Sequence, residues 1–292
     1  MNFLHYLEKG EVKAYTNALI ENFAININKT QGQNFVINKE VINGILSSIN
    51  LNHNDIIVEV GGGIGTLTFY LLKYCKQIFL YEIDPLLSSI ILKVFNKFQD
   101  KLEVISGDFL EQKIPNHQKL ISNLPYHISS PFIRKIIEMK NRPDILAVTF
   151  QKEFADHLCA QPGESEYSRI SVYSSFFYKF DIVSNFPPHY FFPTPKIHSS
   201  LVRGTRLTPP DIVKDKEFFT FLTNLFCRKH KKVRNNLQVY SRNLTRELRR
   251  DYLKEVDRLE FHSYQPINLS PHEILNLFQD FQSLMKNFQV SY

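Results

Sequence analysis

The stretch Ile56-Ile-Val-Glu-Val-Gly-Gly-Gly-Ile-Gly65 decides the fold of this 292-residue chain. Its first half is a short apolar run, which is typical of a strand buried on both faces of a parallel sheet. Its second half places four glycines in five positions, and glycines after a first strand let the backbone approach a ligand closely. The dinucleotide spacing G-x-G-x-x-G is not met, because its last position is Thr66. The stretch therefore predicts an α/β sheet with a ligand-binding loop, and it disfavours a nicotinamide or flavin cofactor.

Similar short strands follow this one, with helical patterns between them. Further strands are predicted over 77–82, 102–106, 119–123, 144–150 and 199–203. The intervening helices include residues 66–74 and 85–98. Strands alternating with helices indicate a parallel sheet covered on both faces, and such sheets bind ligands at the carboxyl ends of their strands.

The character of the chain changes after Thr208-Pro-Pro-Asp211. Apolar residues then recur at helical spacing, as in Phe218, Leu222 and Leu225. Ser270 before Pro271 predicts a helix N-cap with proline at the first helical position.

Three segments follow from this pattern. Residues 1–29 are expected to form a polar leader with some helical periodicity, which is a packed or loose helix rather than a site. Residues 30–208 are expected to form the ligand-binding α/β domain. Residues 209–292 are expected to form a smaller, all-helical domain.

Four strand ends carry polar residues or glycine in chain order, namely Gly61, Glu82, Asp108 and Asn123. A carboxylate after the second strand can accept both hydroxyls of a ribose. An acid after the third strand can accept from an adenine amine. Asp84, close behind Glu82, is interpreted as the cap of the helix that Pro85 starts. Each residue alone is weak evidence, but the ordered set favours a nucleoside-containing ligand.

The tetrapeptide Asn123-Leu124-Pro125-Tyr126 ends the fourth strand. An amide oxygen can accept a hydrogen bond from the exocyclic amine of a nucleobase, and an aromatic ring can stack on the base. The same residues could also form an ordinary strand-to-turn junction. His127 is interpreted as a loop residue.

Positive charge is concentrated in one stretch of the chain. Residues 226–250 contain nine Lys or Arg and one Glu, which is a net charge of +8, whereas the whole chain carries +6. A solvated helical face is the ordinary explanation for a basic run. The concentration against a slightly acidic remainder favours contact with a polyanion.

Composition excludes several classes of protein. No apolar run approaches the ~20 residues that span a bilayer, and the N-terminus lacks the layout of a signal peptide. The three cysteines, Cys75, Cys159 and Cys227, match neither a disulfide framework nor a zinc site. A cytoplasmic protein without a metal is expected, and nothing in the sequence demands more than a monomer.

These residues resemble a known family over roughly residues 30–275. The chain looks like the ribosomal RNA adenine dimethyltransferases of the KsgA type, which are class I S-adenosylmethionine-dependent methyltransferases with a Rossmann-like sheet. The matching segments are Gly32-Gln-Asn-Phe35, Val58–Gly65, Asn123–Tyr126, Gln151-Lys-Glu153, Tyr167–Ser171, Phe191–Ser199, Arg234–Leu237 and Leu269–Pro271.

The resemblance implies a cofactor, a substrate and a role for each matching residue. S-adenosylmethionine is expected to contact Gln33, Asn34, Val36, Gly61, Gly63, Glu82, Asp108 and Asn123. The reaction is expected to depend on Asn123 and Leu124, which accept from the adenine amine, and on Tyr126 and Phe191, which clamp the base. The basic stretch, rather than the resemblance, supplies the expected RNA-binding residues, which are Arg228, Lys229, Lys231, Lys232 and Arg234. The partner is ribosomal RNA in a small-subunit precursor.

Three positions depart from the family pattern. Val36 replaces the usual leucine, Gly62 the usual proline of the glycine loop, and His198 the usual aspartate before Ser199. The first two departures leave backbone contacts possible. The third leaves the local hydrogen bonding of its loop open.

Three other functions remain as alternatives. A non-catalytic RNA- or DNA-binding factor could use the same fold. A DNA adenine methylase usually has proline where this chain has Leu124. A nicotinamide oxidoreductase is disfavoured by Thr66 and by the absence of a recognisable hydride-relay group.

Overall fold

The computed structural model describes residues 2–27, 32–214, 216–242 and 244–288. They divide into two compact units. The first comprises the described residues up to Ala155 together with Phe180–Arg206, and the second comprises Asp156–Lys179 together with the described residues from Leu207 onward.

Strands and helices alternate through the first unit, as the sequence predicts. The strands are β1 (Phe35–Val36), β2 (Ile56–Val60), β3 (Gln77–Glu82), β4 (Leu102–Ser106), β5 (Lys119–Asn123), β6 (Ile145–Gln151), β7 (Tyr178–Phe186), β8 (Phe191–Phe192) and β9 (Ser199–Arg206). The helices along the chain are α1 (Leu4–Lys9), α2 (Val12–Phe23), α3 (Lys39–Ser48), α4 (Thr66–Leu71), α5 (Pro85–Val94), α6 (Ser129–Glu138), α7 (Lys152–Cys159), α8 (Arg169–Ser175), α9 (Lys216–Phe226), α10 (Val233–Leu237), α11 (Arg246–Val256) and α12 (Pro271–Phe288). Short 3-10 turns span Asn96–Phe98, Tyr126–Ile128, Pro188–Tyr190, Asp211–Lys214, Gln238–Ser241 and Pro266–Asn268.

Seven strands form one sheet in the order β4-β3-β2-β5-β6-β9-β7. The neighbours from β4 to β6 pair in parallel, and β9 pairs antiparallel with β6. The order reverses at β2, whose neighbours β3 and β5 lie on opposite sides. In such sheets the crevice at the carboxyl edge beside the reversal is where ligands bind.

One strand of this sheet was not predicted. β7 ends the sheet, and most of its side chains are exposed or half-buried. Apolar and polar residues alternate only over Tyr178–Ile182, and the pattern breaks at Val183, so the sequence gives a short strand signal here.

The N-terminal helices are part of the core of the first unit. Tyr15 and Leu19 of α2 are fully buried in the same apolar cluster as residues of β1, α3 and α4. The Tyr70 hydroxyl donates to the Leu7 carbonyl at 3.2 Å. Residues 1–29 were expected to be a polar leader that forms a packed or loose helix, and their described part forms two helices that pack into the core. The predicted boundary between residues 29 and 30 lies outside the described residues.

The second unit contains helices with an aromatic interior. Phe218 and Phe221 of α9 pack against Phe278 of α12, with ring centroids 5.1 and 5.2 Å away. The predicted N-cap is confirmed, because Ser270 and Glu273 exchange hydrogen bonds as a capping box at the start of α12.

The division of the chain differs from the single boundary expected near residue 208. Asp156–Lys179 belongs to the second unit. Phe176 packs edge-on against Phe218 at 5.8 Å, and the Tyr167 hydroxyl donates to the Leu269 carbonyl at 2.9 Å. These contacts join positions up to 102 residues apart in the chain, and local sequence patterns do not encode such pairings.

Candidate active site

A cavity of about 1070 Å³, which includes space open to solvent, lies at the carboxyl edge of the sheet in the first unit. Its walls come from β1, the ends of β2 to β5, and the loops after them. Of the residues expected from the sequence, the cavity is lined by Gln33, Asn34, Val36, Gly61, Gly63, Glu82, Asp108, Asn123, Leu124 and Tyr126. The topology therefore gathers residues that are up to 93 positions apart, from Gln33 to Tyr126, around one space.

The glycine loop after β2 adopts backbone conformations that favour glycine. Gly61, Gly63 and Gly65 have φ angles of 74°, 56° and 80°, in the left-handed region. The Gly61 N–H donates to the Tyr81 carbonyl at 2.8 Å, which joins the loop to β3. The bare backbone at Gly61 and Gly63 lines the cavity, so a ligand can lie directly against it.

The departure at Gly62 has a local structural reason. A Cβ atom at Gly62 would lie 2.6 Å from Cδ2 of Leu80, whose side chain is fully buried in β3. The Leu80 side chain therefore occupies the space that a larger residue at position 62 would need.

Substitution Gly62→Ala is expected to destabilise the protein by about 1–3 kcal/mol, because it overpacks a closed core. The same substitution in a Leu80→Ala background is expected to cost much less, since the clash is gone. Urea unfolding of the four proteins in this double-mutant cycle measures the coupling. Additive free energies of unfolding would contradict the assignment of the clash to Leu80.

Glu82, at the end of β3, is held by two backbone donors. Its Oε2 accepts from the Gly63 N–H at 2.7 Å, and its Oε1 accepts from the Asp84 N–H at 3.0 Å. Burial raises the pKa of Glu82 above its usual value, and these two bonds oppose the shift. The carboxylate is thus fixed at the cavity wall by the glycine loop itself.

Two neighbouring acids also have defined places. Asp84 accepts from the Leu86 N–H at 2.9 Å, which confirms its role as the cap of α5, and it accepts from Gln33 Nε2 at 3.0 Å. Asp108 accepts from the Leu110 N–H at 2.8 Å and lines the cavity. The bond from Gln33 joins the segment before β1 to the loop after β3.

Glu59, in β2, is a buried acid on the cavity wall. It is 1% exposed, and its Oε2 has no hydrogen-bond partner among the described residues. Burial raises the pKa of Glu59 to about 8, with a further rise from the charge of Glu82, while the nearby Thr68 hydroxyl opposes the shift. An unsatisfied buried carboxylate oxygen is costly, and a cationic ligand in the cavity would satisfy it.

The side-chain amide of Asn123 is held at both ends. Its Nδ2 donates to the Asn34 carbonyl at 2.7 Å, and its Oδ1 accepts from the Thr149 hydroxyl at 2.6 Å. The amide therefore spans from the β1 segment to β6 at the rim of the cavity.

Leu124 and Tyr126 follow Asn123 on the same wall. Pro125, with φ −59° and ψ 126°, is extended and leads into the 3-10 turn at Tyr126. The Tyr126 hydroxyl hydrogen-bonds to Ser199 Oγ at 2.5 Å, which joins the ring to the first residue of β9. Burial raises the pKa of the Tyr126 hydroxyl, so Tyr126 is neutral at physiological pH.

The structure does not bring Phe191 to the cavity, in contrast to the expectation that it clamps the base. Phe191 is 0% exposed in the apolar core and pairs with Val36 across the β1–β8 ladder. Its neighbour Phe192 is 38% exposed and pairs with Phe35. Adjacent residues of a strand point to opposite faces, so a motif match cannot tell which of two consecutive phenylalanines is buried.

The expected RNA-binding residues lie in the second unit and divide into two groups. Lys229 Nζ donates to the carbonyls of Ser165 and Tyr167, and Arg234 forms an ion pair with Asp257 at 3.1 Å. Arg228, Lys231 and Lys232 are exposed, and Arg228 donates to the Asn235 carbonyl at 3.3 Å. Lys231 and Lys232 therefore remain the best candidates for contact with phosphate.

Sequence reasoning missed three residues that shape the site. Tyr15 of α2 is fully buried and donates to the Ile64 carbonyl in the glycine loop at 2.6 Å. Thr149 holds Asn123, and Glu59 was noted only as part of the glycine motif. Thr149 could have been found by aligning the ends of neighbouring strands, because it is the register partner of Asn123. No sequence signal pointed to Tyr15.

Comparisons with known proteins agree with this geometry. The family model for ribosomal RNA adenine dimethylase matches residues 24–274. A probable ribosomal RNA small subunit methyltransferase A of Methanococcoides burtonii is 32% identical over 246 residues, which are 84% of this chain and 90% of that protein. A probable dimethyladenosine transferase of Caenorhabditis elegans is 36% identical over 206 residues, which are 70% of this chain and 67% of that protein. The crystal structure of a dimethyladenosine transferase from Plasmodium falciparum superposes with a TM-score of 0.75 at 26% identity, covering 86% of this chain and 98% of that one.

The fold and the cavity define a class I methyltransferase that uses S-adenosylmethionine. The chain belongs to the ribosomal RNA adenine dimethylase family. The expected family, fold class, enzyme class and cofactor are thereby confirmed. The lining fits this cofactor, because it combines an uncovered glycine backbone with the orphaned carboxylate oxygen of Glu59, which suits a ligand carrying ammonium and sulfonium charges. Among the described residues, no helix has the length and apolar character needed to cross a bilayer.

Proposed function

We propose that this protein dimethylates the exocyclic amine of adenine in the RNA of the small ribosomal subunit, with Asn123, Leu124 and Tyr126 at the reacting base. Relatives described as small-subunit methyltransferases and as dimethyladenosine transferases support the substrate. The observation that carries the proposal is that Asn123-Leu-Pro-Tyr126 and the glycine loop line the same cavity. A methyl donor and a base amine can therefore be brought together there.

The cofactor half of the cavity is assigned to the residues at the ends of β2, β3 and β4. S-adenosylmethionine supplies a methyl group activated by a sulfonium sulfur. Glu82 is positioned to accept hydrogen bonds from the ribose hydroxyls of the cofactor, and Asp108 is positioned to accept one from its adenine amine. Glu59 is positioned to offset the positive charge of the cofactor. The segment that contains Gln33, Asn34 and Val36 closes the same cavity from β1.

The substrate half is assigned to the strand end after β5. The exocyclic amine of adenine is a poor nucleophile, because its lone pair is delocalised into the ring. Asn123 Oδ1 and the Leu124 carbonyl are proposed to accept the two amine protons, which favours a pyramidal nitrogen. Tyr126 is proposed to stack on the flipped base, an interaction worth about 1–3 kcal/mol. Phe191 is left out of this assignment because it is buried.

Catalysis then depends mainly on how the adenine amine and the methyl group are positioned relative to each other. Holding the amine in line with the methyl group converts a bimolecular reaction into an effectively unimolecular one. No general base is needed if the proton leaves after the methyl group is transferred. His127, which is exposed, is given no role.

Two measurements on the purified protein test the proposal and the non-catalytic alternative together. Calorimetry with S-adenosylmethionine reports the cofactor site, and transfer of tritiated methyl groups to unmethylated small-subunit RNA reports the reaction. We expect binding, and up to two methyl groups on each modified adenine. Cofactor binding without transfer to any small-subunit RNA or precursor particle would favour a binding factor on the same fold.

Lys231 and Lys232 are proposed to contact RNA phosphates. Replacing both by alanine is expected to flatten the dependence of log affinity on log salt concentration, by about 0.7–0.9 for each phosphate that is no longer neutralised. Filter binding at several salt concentrations measures the slope. The matched control is Lys214→Ala, because Lys214 is exposed but paired with Asp211 at 2.7 Å. Equal slopes for the double variant and the wild type would place the RNA surface elsewhere.

We also propose that the protein is cytoplasmic and monomeric. Modification of ribosomal RNA suits a cytoplasmic protein. A single chain supplies all the residues assigned to the cavity, so a monomer suffices. Light scattering of the purified protein tests this.

A further inference from the structure

We propose that Thr149 is a positioning residue that fixes the plane of the Asn123 amide for methyl transfer. This inference rests on the proposed role of Asn123 as the acceptor from the adenine amine. It adds a residue that lies outside the motif Asn123–Tyr126.

The hydrogen-bond partners of the Asn123 amide identify which of its two terminal atoms is the nitrogen and which is the oxygen. A backbone carbonyl can only accept, so the amide atom 2.7 Å from the Asn34 carbonyl must be Nδ2. The atom facing Thr149 is then Oδ1, and at 2.6 Å the Thr149 hydroxyl must donate to it. A flipped amide would bring two acceptor oxygens together at Asn34. Asn34 thus selects the orientation, and Thr149 anchors the oxygen end.

Thr149 acts only through Asn123. Its side chain is 0% exposed, so it cannot reach an RNA base itself. It is the register partner of Asn123 in the parallel β5–β6 pair, in the middle of the sheet, and β9 pairs with the other side of β6. A rigid strand therefore supports the anchor.

The anchor leaves the acceptor usable. An amide oxygen has two lone pairs, and Thr149 takes one of them. The other can accept from the adenine amine at the cavity, which Asn123 lines. Without the hydroxyl, the amide could turn about its last side-chain bond around the single remaining contact at Asn34. The acceptor would then spend less time in the reactive position, which lowers kcat rather than RNA affinity.

The test compares Thr149→Val, which removes the hydroxyl at nearly constant shape, with Thr149→Ser, which keeps it. We expect Thr149→Val to lower kcat roughly tenfold to hundredfold, with the KM for RNA and the Kd for S-adenosylmethionine little changed. Thr149→Ser should restore most of the loss. The control is Ser122→Ala, because the fully buried Ser122 hydroxyl donates to the Val60 carbonyl at 2.7 Å instead.

A wild-type kcat in Thr149→Val would overturn the inference. So would equal losses of kcat in the valine and serine variants, or in Thr149→Val and Ser122→Ala. The side-chain amide resonances of Asn123 give a readout that needs no turnover. They should move or broaden in Thr149→Val and stay near wild type in Thr149→Ser, and unchanged resonances in the valine variant would also overturn the inference. If the wild type transfers no methyl group, the proposed function fails, and the resonances still report whether Thr149 holds the amide.

Discussion

Substitution Asn123→Ala is expected to lower kcat for methyl transfer by roughly 10²–10³-fold or more, which is the range seen when one preorganised polar group is removed from a reacting centre. The substitution removes the amide oxygen proposed to accept from the adenine amine. The affinity for RNA should remain nearly that of the wild type, because the exposed lysines proposed to contact phosphate lie in the other unit.

Tritiated-methyl transfer and filter binding on the same preparation separate these two effects. Asn116→Ala is a suitable control, since Asn116 is exposed and does not line the cavity. The alanine at position 123 also leaves the Thr149 hydroxyl without its acceptor. The thermal unfolding of the variant should therefore be measured alongside the assays. Wild-type turnover in Asn123→Ala would refute the assigned role.

Substitution Glu59→Gln is expected to stabilise the cofactor-free protein at alkaline pH. The pKa of Glu59 is raised from 4.5 to about 8 in the folded protein, chiefly by burial. Between these values the folded state holds a proton that the unfolded state has released, so the free energy of unfolding falls as pH rises through this window. Below it both states are protonated, and above it the full cost of a buried charge is present. The neutral glutamine avoids that cost, so the gain in stability should be small at pH 4.5 and on the order of a few kcal/mol at pH 9.

Urea unfolding at pH 5, 7 and 9 without cofactor measures this difference. Glu103→Gln is the control, because Glu103 is exposed on β4, which belongs to the same sheet but does not pair with β2. Parallel pH profiles for wild type and Glu59→Gln would show that Glu59 does not titrate in this window. Since Glu59 is also proposed to offset the positive charge of the cofactor, calorimetry should find weaker S-adenosylmethionine binding in Glu59→Gln. A residue that binds a ligand at a cost in protein stability is expected to give this result when it is neutralised, namely a more stable protein that binds the cofactor more weakly.

The predictable part of the site lies at strand ends. Gly61, Glu82, Asp108 and Asn123 lie at or just after the ends of short strands, and parallel pairing brings the carboxyl ends of such strands to one edge. The structure places all four around one cavity. Local signals were sufficient there because each residue is identified by its place at the end of a strand.

The unpredictable part involves contacts between distant segments. Tyr15 reaches the glycine loop 49 positions away, and Thr149 reaches Asn123 across 26 positions. The burial of Phe191 follows from its pairing with Val36, which is 155 positions earlier in the chain. Neither the Tyr15 contact nor the burial of Phe191 leaves a periodic or compositional signal, and the Thr149 contact follows only once β5 and β6 are known to be neighbours.

The amino-acid sequence alone determined the alternation of strands and helices, the order of polar residues at the strand ends, and the family. It did so because strand periodicity, glycine conformation and motif spacing are local properties of the chain. Only the tertiary structure decided that the N-terminal helices support the glycine loop, that Asp156–Lys179 packs with the helical unit, and that Lys229 and Arg234 are engaged in internal contacts. Those outcomes depend on burial and pairing between remote segments, which exist only once the chain has folded.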